Sequence, residues 1–429
     1  MNVDIYGNLF TAFLLLFIAA VIAPILSPKR TLVAWANLVL VSIAALFILF
    51  LSYAIVFEAP AQGSRLVSFG FFSVYFLVDG LSAFFLSIIA GMSVMSAIYS
   101  IKYMEHYHDL SLASYYANFP LFILGMMGIV TVDDLSLGFT ISWQMMTIAS
   151  YFLIKFEKND PVVVKSANKY LVLMELAWFF IFIAPFFIPN VSFGDSLHSI
   201  TMNLGRFSNA GLYAVFGLVF LGFGFKAGIF PLGQLWLPDA HSVAPSPISA
   251  LLSGVMIKTG VYGILRSFFW MVPHSESVHV NWALWGAIIA SFGVATLFIG
   301  TVQSMKQNDA KRLLAYSSIG QIGYIVFAAG AGLFMFQSSL DAVKFFGAVA
   351  IIGAAYHVLN HAVFKGLLFL SSGSILYATG TKDLNKLGGL MKLMPASALV
   401  SGIAALAISG VPPFSGFASK WTIISTSIL

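Results

Sequence analysis

The chain has 429 residues, of which 9% are charged and 60% are hydrophobic, whereas a soluble domain carries about 25% charged residues. So few charges could not cover the surface of a water-soluble protein of this size, which excludes that class. The chain has no cysteine, so it forms no disulfide and binds no iron–sulfur cluster through its own thiolates.

Twelve apolar runs are long enough to cross a bilayer as helices, which takes about 20 residues each. The sequence therefore predicts an all-α polytopic membrane protein with about 12 transmembrane helices and no soluble domain. The longest polar stretches, 58–70 and 189–207, have the size of loops. In chain order, the apolar runs are 8–27, 32–57, 74–101, 115–132, 135–156, 162–188, 208–232, 247–270, 281–304, 311–334, 342–378 and 395–429.

The two ends of the chain have distinct features. Residues 1–20 contain no Lys or Arg, so the segment lacks the basic region of a signal peptide and is interpreted as a retained first helix. Near the other end, residues 342–378 are too many for one simple span, which predicts a tilted or broken helix. The final run is interrupted by Pro412 and Pro413.

The basic residues in the loops predict the orientation, because Lys and Arg are enriched in cytoplasmic loops. Loops after odd-numbered runs contain 13 such residues, Lys311 among them, whereas the N-terminus and the other loops contain 4, Arg206 among them. This bias predicts a multi-pass protein of the cytoplasmic membrane of the cell, with its N-terminus outside. It also explains most of the net charge of +5 without an acidic partner or a nucleic acid.

Four of the 21 basic residues lie inside apolar runs: Lys226, Lys258, Lys365 and Lys420. A charge at mid-bilayer costs about 2.5–3.5 kcal/mol on insertion scales, so such residues face the bundle interior and mark ion pathways. One or two of them could instead snorkel from a helix end. Four together favour an ion path.

Two of these lysines stand beside predicted helix breaks. Pro231 follows Lys226, and Pro412 and Pro413 precede Lys420; proline removes a backbone donor and interrupts a helix. Interrupted helices in corresponding positions of two halves indicate inverted repeats in transporters. The predicted segments are 1–110 with helices 1–3, a first repeat in 111–275 with helices 4–8, and an incomplete second repeat in 276–429 with helices 9–12.

His357, His361 and Lys365 are spaced i, i+4 and i+8, which stacks them on one helix face. Because imidazoles titrate near neutral pH, this spacing predicts a proton relay. A metal site formed by the two histidines is the alternative, and it lacks a nearby carboxylate or third ligand. Of the carboxylates, Glu175 lies near the middle of run 162–188, whereas Asp79 lies near a span end and is expected to cap a helix.

Four stretches together resemble the antiporter-like, proton-conducting membrane subunits of respiratory complex I, of membrane-bound nickel–iron hydrogenases and related complexes, and of multisubunit Na+/H+ antiporters. They are 226–266, 309–318, 357–374 and 410–420. The first contains Trp236-Leu237-Pro238-Asp239-Ala240-His241 and Ala244-Pro245-Ser246-Pro247. The resemblance runs from about residue 70 onward.

The resemblance implies two inverted five-helix repeats, broken seventh and twelfth helices, and a row of charged groups at mid-membrane that holds and passes protons. By motif, the implied ion-translocation residues are Lys226 in the seventh helix, Lys258 in the eighth, His357, His361 and Lys365 in the eleventh, and Lys420 at the exit side of the twelfth.

One departure from the family concerns the fifth helix, where family members carry a Glu that pairs with the seventh-helix lysine. Here Gln144 stands in that place, and glutamine cannot supply a counter-charge. Our hypothesis is that Glu175 supplies the missing carboxylate from the adjacent helix. The alternative is that this copy has lost part of its pathway and is partly structural.

A second departure is the end of the chain at Leu429, in the broken twelfth helix, where family members continue through about two more helices. Either a partner chain completes the repeat or this version is naturally short. We therefore expect another membrane subunit to pack against the C-terminal end.

The function favoured by the sequence is that of an ion-translocating subunit, for H+ and possibly coupled to Na+, in a redox-driven respiratory or hydrogenase-type complex. The subunit itself would be non-redox: no cofactor or metal is expected in this chain, and iron–sulfur, flavin or nickel–iron centres would lie in partner subunits. The alternatives are a multisubunit Na+/H+ antiporter without a redox partner and a non-conducting scaffold subunit. Membrane subunits and the lipid bilayer are the expected partners, and nucleic acid is not.

Overall fold

The computed structural model describes residues 4–58, 64–68, 70, 72–204, 208–270 and 280–428. Arg206, the predicted boundary between residues 275 and 276, and the C-terminal Leu429 lie outside these described residues. The regular structure of the described residues is nearly all helical, which confirms the predicted fold class. The α-helices are α1 (Ile5–Leu26), α2 (Arg30–Phe57), α3 (Gly80–Tyr103), α4 (Ala113–Ile129), α5 (Leu137–Ile154), α6 (Pro161–Ile183), α7 (Leu197–Leu204), α8 (Asn209–Ala227), α9 (Leu237–Val243), α10 (Ser246–Leu251), α11 (Ile257–Leu265), α12 (Trp282–Ser304), α13 (Ala310–Met335), α14 (Asp341–Thr379), α15 (Pro395–Ser409) and α16 (Ser415–Ile428).

Ten helices of the described residues are long and apolar enough to cross a membrane. Two of the twelve predicted runs do not reach that length. Run 115–132 forms α4, which has 17 residues, and run 395–429 is divided between α15, with 15 residues, and α16, with 14. The difference from the predicted number therefore comes from one short helix and one broken helix.

Hydrogen-bonding side chains define where several helices begin. A side-chain oxygen at the N-cap accepts a hydrogen bond from a first-turn backbone N–H, which would otherwise lack a partner. The expectation that Asp79 caps a helix is confirmed, since its carboxylate accepts from the N–H of Ser82. The side-chain caps are Asp4 for α1, Asp79 for α3, Asp160 for α6, Asn281 for α12 and Asp309 for α13.

A short β-hairpin precedes α3. Strand β1 (Arg65–Ser68) pairs antiparallel with β2 (Ser73–Phe76). The prediction of a plain loop over 58–70 followed by a helix from residue 74 was therefore wrong at this point. The extended chain continues after β2, where the N–H of Leu77 donates to the carbonyl of Thr131, so the helix begins only at Gly80. The second predicted loop, 189–207, contains α7.

The described residues form two compact units, divided within α8 after Gly222. In the first unit, α1 packs against α2 and α4, α2 packs against α3, and α5 packs against α4 and α6. In the second unit, α12 packs along α13, α13 against α14, and α14 against α10, α15 and α16. The most apolar stretch of the segment Ser246–Phe269 is completely buried. In Ile5–Leu26, only about one third of the corresponding stretch is buried. Exposed apolar side chains are expected where helices face lipid.

Both predicted helix breaks are present. Helix α8 ends at Ala227 and α9 begins at Leu237, with Pro231 between them. Within this break the N–H of Phe230 donates to Oγ1 of Thr296 at 3.0 Å, which gives a freed backbone donor the partner that it needs at membrane depth. The second break separates α15 from α16 and contains Pro412 and Pro413.

The predicted irregularity of run 342–378 is not a break. Helix α14 is continuous over 39 residues. At a rise of about 1.5 Å per residue, it is considerably longer than the hydrocarbon core of a bilayer. Residues on α14 that are far apart in sequence can therefore reach different neighbouring helices.

Candidate ion-translocation site

Five of the six sequence-predicted lysines and histidines of the second unit are buried to an unusual degree. Lys226, His357, His361 and Lys365 are 0% exposed, and Lys258 is 1% exposed. Lysine is almost never fully buried in proteins unless its ammonium has partners. The partners of these groups therefore decide what the site can do.

Lys258 is held by a carbonyl of its own helix. The turn before it, Leu252–Met256, is a π-helix, a one-residue widening that is frequent at functional sites. The Nζ atom of Lys258 donates to the carbonyl oxygen of Ser253. The hydroxyl of Ser253 is in turn hydrogen-bonded to the hydroxyl of Ser318 on α13, at 2.7 Å. The widened turn thus links Lys258 to α13.

The helix end that carries Lys226 packs closely against α11, where Lys258 lies. Gly260 makes this approach possible, because a Cβ atom there would overlap the backbone of Phe223 and Ala227. Small residues allow such close packing of membrane helices. Lys226 and Lys258 therefore lie on helices whose backbones are in contact.

Lys365 reaches from α14 to α13. Its Nζ atom donates to the carbonyl oxygen of Leu314 at 2.7 Å and to the hydroxyl of Ser317. Both acceptors are neutral oxygens, which accept from an ammonium or from an amine alike. The contacts therefore position the nitrogen without fixing its protonation state.

The two predicted histidines of α14 differ in their surroundings. His357 is fixed on both sides, with 2.9 Å between Nδ1 and Oγ of Ser419 and 3.1 Å between Nε2 and Oε1 of Gln321. His361 lies one turn further on with its ring nearly parallel to that of His357, and 6.2 Å separates the ring centroids. Neither ring nitrogen of His361 has a hydrogen-bond partner among the described residues.

Lys420 lies on α16, next to the second break. Its Nζ atom donates to the carbonyl oxygen of Ile408 at 2.6 Å and lies 4.8 Å from the ring centroid of Tyr324, a favourable cation–π distance. Its acceptor is at the end of α15, where helix carbonyls lack intrahelical partners. The break therefore supplies the site that holds this lysine.

The structure brings five of the predicted residues into one cluster of the second unit, which we call the Lys–His row. Lys365 bonds Leu314 and Ser317 on α13, and Lys258 is linked through Ser253 to the next residue of that helix, Ser318. His357 bonds Ser419, which directly precedes Lys420. The hydrogen bonds of its three lysines go to carbonyl and hydroxyl oxygens, not to carboxylates, within the described part of the chain. The members of the row are Lys258, His361, Lys365, His357 and Lys420.

Gln144 and Glu175 form a pair in the first unit. The Nε2 atom of Gln144 on α5 donates to Oε2 of Glu175 on α6 at 2.7 Å. One residue before each of them, the indole N–H of Trp143 donates to the carbonyl of Met174 at 3.2 Å. The two helices are therefore held in the register that brings the amide to the carboxylate.

Two residues that the sequence reasoning did not assign to the site lie close to the row. His241 on α9 is 0% exposed, and its ring stacks on that of Phe369 on α14. Lys311 is 3% exposed and donates to the carbonyl oxygen of Ala244 at 2.7 Å. Counting Lys311 as a loop residue was therefore wrong: it lies in the first turn of α13 and is buried because its ammonium binds that carbonyl. His241 could have been assigned to the site from the sequence, because it is the titratable last residue of the 236–241 motif.

A nearly all-helical apolar chain with two broken helices and buried lysines and histidines defines an antiporter-like integral membrane protein. The chain belongs to the NADH:quinone oxidoreductase/Mrp antiporter transmembrane family, whose model matches residues 133–429. Residues 68–116 match a second family, described as the N-terminus of chain 5 of NADH-ubiquinone oxidoreductase (complex I).

The chain spans about half the length of the curated relatives that it matches. It is 34% identical over 360 residues to hydrogenase-4 component B of Escherichia coli, covering 82% of this chain and 51% of that protein. It is 33% identical over 414 residues to an Na+/H+ antiporter subunit of Alkalihalophilus pseudofirmus, covering 94% of this chain and 49% of that protein.

Two solved structures are similar to the chain. A chain of the membrane-bound sulfane sulfur reductase, an archaeal respiratory membrane complex, aligns with a TM-score of 0.83 at 23% identity, over 97% of this chain and 81% of that one. A chain of the Mrp complex from Dietzia sp. aligns with a TM-score of 0.80 at 28% identity, over 99% of this chain and 43% of that one.

Proposed function

We propose that the chain is an ion-translocating subunit of a multisubunit membrane complex and that it passes protons along the Lys–His row. The observation that carries this proposal is the burial of Lys258, His357, His361 and Lys365 with no carboxylate partner among the described residues. Ionisable groups at such positions are expensive in a membrane and are typical of ion paths.

The chemistry of each member suits proton passage. The carbonyl and hydroxyl acceptors of Lys258 and Lys365 hold the nitrogen in either protonation state. In neutral His361 one ring nitrogen can accept a proton while the other can release one, and no hydrogen bond within the described residues occupies either nitrogen. His357 contacts the hydroxyl of Ser419, which can donate or accept as the imidazole changes state. Lys226 is proposed to precede Lys258 in this path, and Lys420 to be the exit-side group.

The energy source that we propose is a redox module in partner subunits, which would contain any iron–sulfur, flavin or nickel–iron centre. The similarity to hydrogenase-4 component B supports this reading. The proposed location is the cytoplasmic membrane of the cell, with the N-terminus outside. The proposed partners include a membrane subunit that packs against the C-terminal helices, where Leu399 and Trp421 are exposed.

A second candidate function is that of one component of a multisubunit Na+/H+ antiporter without a redox partner. It is favoured by the similarity to the Alkalihalophilus pseudofirmus antiporter protein over 94% of this chain. Inverted membrane vesicles distinguish the two candidates: proton uptake driven by an electron donor supports the first, and sodium-driven proton movement without a donor supports the second.

The proposed function is tested by replacing Lys258 with alanine in the native complex. We expect proton translocation in membrane vesicles to be lost, and Lys306→Ala, a change of an exposed lysine, to have no effect. The amount of assembled complex is measured first, and rates are expressed per assembled complex. Full translocation by Lys258→Ala would contradict the proposal and favour a non-conducting scaffold subunit.

A further inference from the structure

His241 is a buried imidazole that the Lys–His row does not include. It is 0% exposed, and neither of its ring nitrogens has a hydrogen-bond partner in good geometry among the described residues. The great majority of buried side-chain polar atoms in proteins have such a partner. A buried imidazole in which neither Nδ1 nor Nε2 has such a partner therefore needs an explanation other than structural support.

Lysines from three different helices lie within electrostatic range of this imidazole: Lys365 on α14, Lys258 on α11 and Lys311 on α13. Lys311 also donates to the carbonyl oxygen of Ala244, three residues after His241. The ring of His241 also stacks on Phe369, with 5.2 Å between the ring centroids, and Phe369 lies one helical turn after Lys365. The backbone of Ser249 also lies close to the ring.

The short helix that carries His241 is anchored by contacts from other elements of the second unit. Arg312 donates to the carboxylate of Asp239 at 2.7 Å, and Lys382 donates to the carbonyl oxygen of Ser242 at 2.8 Å. The hydroxyl of Ser249 donates to the carbonyl oxygen of His241 itself at 3.0 Å. These bonds use the backbone and the neighbours of His241 and none of them involves its ring, so α9 holds the imidazole in a fixed position.

We infer that His241 is a further proton-carrying group, which connects Lys258 with Lys365 by a route separate from His361. The inference rests on the proposed function. In the first step, one N–H bond of the Lys258 ammonium breaks as an N–H bond forms on one ring nitrogen of His241. In the second step, the other ring nitrogen releases its proton to the amine of Lys365. After both steps the imidazole is neutral again and one proton has moved from Lys258 to Lys365. No group is oxidised or reduced.

The inference is tested in the native complex by His241→Gln, which keeps polarity and removes titration, with His106→Gln as the control at an exposed histidine. We expect translocation per assembled complex to fall at least about tenfold in His241→Gln and to stay unchanged in the control. Unchanged translocation in His241→Gln would overturn the inference.

A second variant covers the possibility that His241→Gln does not assemble. Phe369→Leu removes the ring on which His241 stacks but leaves every titratable group in place, so it should change the pH profile of translocation; an unchanged profile contradicts the inference. Lys258→Ala in the same membranes distinguishes a failure of the inference about His241 from a failure of the proposed function. If Lys258→Ala is inactive while His241→Gln and Phe369→Leu behave as wild type, only the role of His241 fails; if Lys258→Ala is active, the proposed function fails.

Discussion

The side-chain amide of Gln144 donates a hydrogen bond to the carboxylate of Glu175, with 2.7 Å between Nε2 and Oε2. At the place where the family resemblance implies a glutamate on the fifth helix, this chain therefore has an amide in direct contact with a carboxylate on the next helix. The contact supports the hypothesis that Glu175 supplies, from the adjacent helix, the carboxylate that position 144 lacks.

This relationship predicts that the two residues can exchange roles. We expect Glu175→Gln to lose most ion translocation, because it removes the carboxylate of the pair. The double variant Gln144→Glu with Glu175→Gln restores one carboxylate and one amide at the same contact, and should recover a substantial part of the activity. Proton translocation in membrane vesicles, per assembled complex, measures both.

The single variant Gln144→Glu serves as the control for this exchange. It places two carboxylates in contact, and like charges at that distance disfavour joint ionisation. We expect it to be less active than the double variant. Unchanged translocation in Glu175→Gln would remove Glu175 from the path.

The hydrogen bonds of Lys365 predict that its nitrogen, not its bulk, is required. Lys365→Gln keeps most of the length of the side chain but cannot carry a transferable proton, so translocation should fall at least about tenfold. Lys344→Gln changes a lysine on the same helix whose Nζ is 3.6 Å from the exposed carboxylate of Asp341. That variant should translocate as the wild type does, and equal rates in the two variants would contradict a role for Lys365.

Gly260 is predicted to be a packing position at which no side chain fits. Gly260→Ala would place a Cβ atom against the backbone of Phe223 and Ala227, and overpacking of this kind costs about 1–3 kcal/mol. Gly217→Ala on α8 is the matched change, since a Cβ atom there meets nothing within 4 Å. The thermal stability of the purified complex should fall for the first variant only. A stable Gly260→Ala protein would show that α8 and α11 can separate without cost.

Thr296 is predicted to stabilise the first helix break. Its hydroxyl accepts from the N–H of Phe230 and donates to the carbonyl oxygen of Phe292 at 2.6 Å. Thr296→Val removes both bonds at nearly constant volume and leaves the part-buried N–H of Phe230 without this acceptor, and an unsatisfied donor costs up to about 1–3 kcal/mol when it is buried. Thr301→Val on the same helix loses only a hydrogen bond at an exposed position. Thr296→Val should therefore unfold at a lower temperature than Thr301→Val. Equal unfolding temperatures would mean that the break does not depend on α12.

Much of the architecture could be predicted because it depends on local properties of the chain. Apolar runs of sufficient length predicted the membrane helices, and prolines predicted the two breaks, since a missing backbone donor interrupts a helix wherever it occurs. The i, i+4, i+8 spacing predicted that His357, His361 and Lys365 share a helix, and they do. The β-hairpin of β1 and β2 was missed because an apolar run alone does not distinguish a strand from the start of a helix.

Local features of the chain were therefore enough to predict a helical membrane protein with lysines and histidines inside its spans. Tertiary structure alone decided what each of these groups touches: Lys365 finds its acceptors on α13, Lys311 is buried against the carbonyl of Ala244, and Gln144 meets Glu175. The physical reason is that helical periodicity assigns a residue to a face of its own helix but does not specify the neighbouring helix or its register. Those are set by close packing, at positions such as Gly260, between segments far apart in the chain.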